Sequence, residues 1–269
     1  MQMWIVASFF VIPLLFCSTV SADSAREAMI FKTITVIYDN YPFKKGLKTA
    51  WGFSCLVRGW GKTILFDTGG DGRLFLSNMR GLEIDPHEVD MIVLSHIHGD
   101  HVGGLSSFLQ HHHEVTVFVP SSFPDDFKKG VRHFGARLQE VEGFIELCPG
   151  VYSTGEMGHW IKEQALILHA PQGLIVITGC AHPGIVAILE NVKEGFQEEI
   201  VLVMGGFHLM DKSVSEITEV ITNFQRLGVR YIGPGHCSGD RARRLFQETY
   251  GKAFVPLGVG LEIKIDELK

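Results

Sequence analysis

One short segment of the sequence places three imidazoles and one carboxylate within six residues. His96, His98, Asp100 and His101 follow directly after the apolar run 91–94. Imidazole nitrogens suit zinc, iron and other first-row divalent ions, and a carboxylate oxygen is a frequent partner in hydrolytic sites. Because one ion takes only about four to six donors, the segment predicts two adjacent ions. A polar loop with merely hydrogen-bonded histidines would be the better explanation for one histidine, but not for this cluster.

Three further histidines occur in the same local pattern, after an apolar strand and a turn of small residues. They are His182, His208 and His236, each followed by a predicted helix. Taken alone, each is more typical of a turn residue than of a metal ligand. Because the carboxyl ends of parallel strands gather at one edge of a sheet, we expect these side chains to lie beside the first cluster.

An aspartate and two cysteines accompany these histidines. Asp67 ends a predicted strand, where its carboxylate could cap the turn or hold a metal-binding histidine, and these roles are compatible. Cys180 and Cys237 both lie beside histidines of the repeated pattern, so a ligand role and a disulfide would compete for the same sulfurs. The sequence therefore leaves open the disulfide state of the four cysteines after residue 22, which are Cys55, Cys148, Cys180 and Cys237.

The elements that must position these residues follow from hydrophobic periodicity. Alternation predicts a strand over 33–38, and a glycine-containing turn predicts a hairpin between 51–57 and 63–66. Helical spacing is clear after 184 and again after 213, but periodicity is poor over 131–160. That last region is either a substrate-facing insertion or irregular β structure. The apolar stripes expected on the helices are Leu105, Phe108 and Leu109; Ile185, Ile188, Leu189 and Val192; and Val214, Ile217, Ile221 and Phe224.

Length and charge limit the classes of protein. The chain has 269 residues, 46% of them hydrophobic, which is enough for one large or two small domains with a substantial core. Its net charge of −6 at pH 7 argues against a surface that binds polyanions. We therefore expect a small-molecule substrate, with phosphorylated compounds among the options, and no nucleic acid partner.

Residues 1–22 carry no charged side chain and are largely apolar, and they end in the small residues 20–22 before Asp23. This pattern predicts a secretory signal peptide and export to the periplasm or the medium. The alternative is an uncleaved membrane anchor, for which the apolar run is short and contains Pro13. Without a signal function the protein would be cytoplasmic, and only an anchor would give it a stable membrane partner.

The segment 95–105, preceded by the turn 67–69 and completed by the later strand-end histidines, resembles the metallo-β-lactamase superfamily. More narrowly, the chain is similar to the dihydropterin synthase-like branch, named for 7,8-dihydropterin-6-yl-methyl-4-(β-D-ribofuranosyl)aminobenzene 5'-phosphate synthase. The resemblance implies an α/β fold, a four-layer αββα sandwich in a single domain over residues 30–269, with a dinuclear site at one edge. The other segments that carry the narrower resemblance are 38–40, 51–54, 65–69, 178–185, 205–209 and 233–239.

The resemblance also implies a division of ligands. In the pattern of the family, His96 and His98 serve the first ion, Asp100 and His101 serve the second, and His236 matches the final histidine motif. The implied ions are two divalent metals, with zinc preferred and iron or manganese as alternatives.

The middle of the sequence departs from the family pattern. Cys180 stands where the family usually has a bridging aspartate, and no histidine occupies the usual preceding loop unless His159 does. We therefore expect His182 to be a ligand, His208 to be a ligand or a substrate-facing group, and Cys180 to be a substitute ligand.

Two ions would lower the pKa of a shared water and stabilise negative charge at a carbonyl or phosphoryl centre. This predicts a metal-dependent hydrolase of an ester, lactone or phosphoester, in which Asp100 orients the nucleophile and His208 donates to the developing charge. One alternative is a synthase or transferase that joins a pterin to a phosphorylated ribosyl arene, for which export would be an awkward location. Two others are a diiron oxidoreductase, which would need a flavin domain, and a non-catalytic metal-dependent sensor or binding protein.

Overall fold

Two β-sheets face each other in the computed structural model, which describes residues 32–268. The predicted leader, residues 1–22, lies outside the described residues. The strands are β1 Thr33–Tyr38, β2 Ser54–Arg58, β3 Ile64–Phe66, β4 Met91–Val93, β5 Thr116–Pro120, β6 Arg137–Val141, β7 Ile145–Cys148, β8 Val151–Ser153, β9 Leu166–Ala170, β10 Gly173–Thr178, β11 Ile200–Gly206, β12 Tyr231–Gly235 and β13 Glu262–Lys264. The α-helices are α1 Gly72–Gly81, α2 Gly99–Val102, α3 Leu105–His111, α4 Asp125–His133, α5 Ile185–Phe196, α6 Val214–Arg226 and α7 Gly239–Tyr250.

The first sheet has the order β13-β1-β2-β3-β4-β5-β6, and the second has the order β12-β11-β10-β9-β8-β7. Strands β3 to β6 are parallel neighbours, as are β10 to β12, while the other neighbouring strands within the two sheets pair antiparallel. The hairpin predicted from its glycine turn is confirmed as β2 and β3. The poorly periodic region 131–160 passes from α4 through β6, an edge strand of the first sheet, to β7 and β8 of the second.

Central strands such as β4 and β10 are apolar on both faces, because each sheet packs against the other sheet on one face and against helices on the other. In β4, Val93 packs into the core between the sheets, whereas Ile92 packs beneath the helices of the first sheet. In β10, Ile175 belongs to the central core and Val176 to the core beneath α5, α6 and α7. This alternation with period two produces the four-layer αββα sandwich that the family resemblance implied.

The amphipathic helices bury nearly the whole of their predicted stripes. Each predicted apolar position of α3 and α5 is buried, as are Ile217, Ile221 and Phe224 of α6. The prediction for Val214 is wrong: its side chain is 54% exposed. Val214 is the first residue of α6, so it precedes the turns that lie against the sheet. Within the range 32–268, no helix combines the length and the apolar character needed to cross a membrane.

Candidate metal centre

The candidate ligands lie at the carboxyl ends of parallel strands from both sheets. His96, His98 and His101 follow β4 of the first sheet, whereas the later strand-end histidines follow β10, β11 and β12 of the second. The expectation that they share one edge of a single sheet is therefore wrong. The histidines converge instead in the cleft between the two packed sheets, because the parallel strands of both sheets end on the same side of the sandwich.

Four ligand atoms converge in a group that we call the buried set: Asp100, His101, Cys180 and His236. His101 Nε2 lies 3.3 Å from His236 Nε2 and 3.2 Å from Cys180 Sγ, and His236 Nε2 lies 3.2 Å from Asp100 Oδ2. Three of the four residues are buried. Two imidazole nitrogens, a carboxylate and a thiol at these separations fit a divalent ion of the zinc type.

Three imidazoles form a second group, the histidine set: His96, His98 and His182. His96 Nε2 lies 3.2 Å from His98 Nδ1, and the ring centroids of His96 and His182 are 4.6 Å apart. The two sets adjoin, because the ring centroids of His96 and His101 are 4.2 Å apart. Burial lowers the pKa of His96 and of His101 to about 3, which keeps both rings neutral and their nitrogens free to act as ligands.

Asp67 lies directly behind these histidines. Its Oδ2 is 2.7 Å from His101 Nδ1 and accepts a hydrogen bond from the Ser95 hydroxyl, which in turn lies 2.9 Å from His96 Nδ1. The backbone N–H of Ser95 donates to Oδ1. Burial raises the pKa of Asp67 to about 7, against the opposing effects of His96 and Ser95. A carboxylate in this position orients the His101 ring and leaves its Nε2 directed into the buried set.

Glu163 is the main residue of the site that sequence reasoning missed. Its fully buried carboxylate accepts hydrogen bonds from the backbone N–H groups of Cys180, Ala181 and His182, and it lies 2.8 Å from His182 Nδ1. Burial by itself would raise the pKa of Glu163, but the hydrogen bonds from His182 and these amides hold it well below its usual range. The only local signal was an acidic residue just before the apolar strand β9.

A second group of supporting contacts holds His236. Its Nδ1 lies 3.1 Å from Asn40 Oδ1, and its backbone N–H points at the Asp39 carboxylate at 3.3 Å. Burial raises the pKa of Asp39 to about 6. The ring of Trp51 packs against the His236 ring with 4.6 Å between centroids. Asp39, Asn40 and Trp51 therefore form one wall of the centre.

His208 lies at the open side of the centre. With Cys180 and Cys237 it forms a third group, the thiol set, whose ligand atoms lie within 4.8 Å of one another. The hydrogen bond with the Cys180 thiol, together with His208, holds the pKa of Cys237 well below its usual range. The described cysteines are free thiols. His159 is exposed and belongs to none of the three sets.

Two cavities open beside His208. One, of about 340 Å³, is lined by Trp51, His208, Lys212 and Cys237 among others. The second, of about 420 Å³, extends over His182 and the first turn of α5, and also includes His208 and Lys212. Lys212 thus lines both cavities, whereas Lys44, Lys45 and Lys48 are exposed in the 39–51 region. Cavities of this size suit a small molecule.

Backbone strain is concentrated at the same place. Asp67, Ala181, His208 and His236 adopt left-handed conformations, with φ values of 55°, 60°, 53° and 43°. Such conformations are uncommon outside glycine, and they persist where the surrounding structure enforces them, typically at functional sites. Here each one lies where a strand leaves the sheet and turns toward the centre.

These features define an α/β sandwich with candidate metal-ligand clusters, and the chain belongs to the metallo-β-lactamase superfamily, whose family model matches residues 52–196. It is 30% identical to a 7,8-dihydropterin-6-methyl-4-(β-D-ribofuranosyl)-aminobenzene-5'-phosphate synthase of Methanocaldococcus jannaschii, over 87% of this chain and 96% of that protein. The resemblance to that branch is thereby confirmed.

The solved structures include a metal-dependent hydrolase of the β-lactamase superfamily that is 28% identical to this chain. It superimposes with a TM-score of 0.75 over 87% of this chain and 99% of that one. A diphosphatase of the PhnP family shares the fold with a TM-score of 0.56 at 14% identity, over 87% of this chain and 98% of that one.

Proposed function

We propose that the protein is a metal-dependent hydrolase of a small ester, lactone or phosphoester, with zinc as its preferred ion. The observation that carries this proposal is the juxtaposition of the buried set and the histidine set beside two cavities. Bound divalent ions would supply Lewis acidity and lower the pKa of water near the substrate. The buried set would hold one ion and the histidine set the other.

The side chains of the chain itself would position the reaction. Asp100, partly exposed at the edge of the buried set, would orient the nucleophile through the carboxylate oxygen that lies 3.2 Å from His236 Nε2. His208, exposed on the cavity side, would donate a hydrogen bond to charge that develops on the substrate. Lys212 would attract an anionic group, because it lines both cavities near His208 while its ammonium lies 3.0 Å from the Glu216 carboxylate.

A second candidate is a synthase or transferase that acts on a pterin and a phosphorylated ribosyl arene. The observation in its favour is the 30% identity, over 87% of this chain, to the protein of Methanocaldococcus jannaschii that carries this synthase name. The two candidates share the metal centre and differ in the second substrate, which is water in one and an arene in the other.

The test combines metal analysis with a substrate screen. Protein purified without chelator should contain at least two divalent ions, and it should turn over at least one member of a panel of phosphodiesters, lactones and thioesters. Asp100→Asn and His98→Gln should abolish that turnover, whereas His111→Gln, at the exposed end of α3, should retain it. Product formation only when a pterin and an arene phosphate are both supplied would favour the synthase and contradict the hydrolase. Full turnover by Asp100→Asn would overturn both.

The role of Lys212 has its own test. Lys212→Gln should raise KM for phosphorylated substrates at least tenfold more than for neutral esters, because only the former lose an ionic contact. Lys48→Gln is the matched control in an exposed loop and should leave KM unchanged. An equal effect of Lys212→Gln on charged and neutral substrates would contradict the assignment.

A further inference from the structure

We propose that Cys180, His208 and Cys237, the thiol set, form an additional binding site for a thiophilic divalent ion such as zinc. The three ligand atoms lie within 4.8 Å of one another and come from the ends of three successive strands of the second sheet, β10, β11 and β12. His208 and Cys237 line the cavity of about 340 Å³, so the site is reached from the substrate side.

The absence of a side chain at Gly206 allows the two cysteines to meet. Gly206 ends β11, which lies between β10 and β12, and a Cβ there would stand 2.7 Å from Cys237 Sγ and 3.2 Å from Cys180 Cα. Any other residue would separate the thiols. The left-handed backbone of His208, two residues later, then brings its ring over the same point.

The donor chemistry of the thiol set is that of a known class of zinc site. Two thiolates and one imidazole leave the fourth position of a tetrahedral ion open, and three protein ligands with one open position are typical of catalytic zinc sites. Sulfur donors also favour soft ions such as zinc over magnesium or calcium. The open position would face the cavity, because His208 and Cys237 both line it.

Cys180 connects this site to the buried set. Its Sγ lies 3.2 Å from His101 Nε2 and within 4.8 Å of the His208 and Cys237 ligand atoms. One thiolate would therefore serve two neighbouring ions. Loss of Cys237 should empty only the additional site, whereas loss of Cys180 should also weaken the ion of the buried set.

Cadmium titration of the metal-free full chain tests the proposal without a substrate. Bound cadmium is counted by mass spectrometry of the metal after desalting, and bound thiolates by the ultraviolet charge-transfer absorption of the thiolate–cadmium bond. We expect the wild type to bind one more ion than Cys237→Ser and His208→Gln, and its charge-transfer absorption to be at least twice that of Cys237→Ser, because two thiolates bind instead of one and Cys180 contacts both ions. Cys148→Ser changes a residue that belongs to none of the three sets and should match the wild type.

His208→Gln tests whether misfolding could explain a loss of bound cadmium. Because His208 is exposed, we expect this variant to keep its core packing. The proposal is overturned if Cys237→Ser keeps the cadmium count and absorption of the wild type. It is also overturned if Cys237→Ser and His208→Gln each keep the full count while remaining folded by circular dichroism. Because the readout is metal binding, failure of this proposal leaves the turnover tests of the hydrolase untouched.

Discussion

Buried Glu163 pairs with partly buried His182, and its Oε2 lies 2.8 Å from His182 Nδ1. The same carboxylate accepts the backbone N–H groups of residues 180–182, so it fixes both the turn after β10 and the orientation of the His182 ring. One acidic residue thereby positions a member of the histidine set and the backbone of Cys180.

Glu163→Gln should weaken metal binding by the histidine set about 10- to 100-fold, the usual effect of losing an outer partner of a metal-binding histidine. The amide keeps the size of the side chain but loses the charge and one acceptor oxygen. Competition with a chromophoric chelator measures the affinity. Glu199→Gln, an exposed glutamate, is the control and should bind as the wild type does. Unchanged affinity in a folded Glu163→Gln protein would contradict this role.

Asp67→Asn should weaken metal binding by the buried set. Asp67 Oδ2 accepts hydrogen bonds from the Ser95 hydroxyl and from His101 Nδ1. An amide nitrogen at this position cannot accept either of them. We expect the affinity of the buried set to fall about 10- to 100-fold with the histidine set less affected. Stepwise cobalt titration followed by visible absorption separates the two ions. Asp126→Asn, on the exposed start of α4, should leave both steps unchanged.

Removal of the metal should destabilise the protein. An ion that binds only the folded chain stabilises it by about 2.7 kcal/mol when its free concentration is 100 times its Kd. Treatment with a chelator should therefore lower Tm, and addition of zinc should restore it. His98→Gln should show a smaller zinc-dependent shift than the wild type, whereas His113→Gln, outside the three sets, should show the full shift. A Tm that is independent of metal in the wild type would contradict both ligand sets.

Gly206→Ala should destabilise the fold by about 1–3 kcal/mol, the usual cost of overpacking. The added Cβ would stand 2.3 Å from Gly179 O, a backbone atom that cannot turn away, as well as near Cys237 Sγ. Gly195→Ala is the matched control: nothing lies within 4 Å of its Cβ position on α5. Because alanine favours helix, that change should stabilise by up to about 1 kcal/mol. Urea unfolding measures both, and equal stability of the two variants would refute the prediction.

A capping box stabilises the start of helix α6, which lies beside the cavities. Ser213 Oγ accepts the N–H of Glu216, and the N–H of Ser213 donates to the Glu216 carboxylate. Ser213→Ala should cost about 1 kcal/mol of unfolding free energy at neutral pH. Glu219→Gln, exposed on the same helix, should cost little.

The capping box also predicts a pH dependence. Hydrogen bonds from the Ser213 amide and hydroxyl and from Lys212 lower the pKa of Glu216 from 4.5 to about 2. The stabilisation that comes from the charged carboxylate is therefore complete above pH 4.5 and is lost as pH falls toward 2. The difference in stability between wild type and Glu216→Gln should shrink over this range. A constant difference between neutral pH and about pH 3 would contradict the assignment.

Local patterns in the sequence were sufficient for the family, the four-layer fold and most of the ligand candidates. The cluster from His96 to His101 is visible because its members are adjacent in the chain, and strand periodicity shows that it follows a buried strand. The later histidines were recognisable because each follows an apolar strand and a turn of small residues. All the predicted ligands lie in one of the three sets, with Asp67 directly behind them.

Only the tertiary structure decided how these residues are grouped. The contact between Cys180 and His101 joins residues 79 positions apart, and it depends on how the two sheets pack, which no local pattern reports. For the same reason Glu163 was missed: it is a single acidic residue before β9 and becomes important only because the turn after β10 folds over it. Periodicity in the sequence shows which residues lie at the end of a strand. Long-range packing determines which of these residues contact one another.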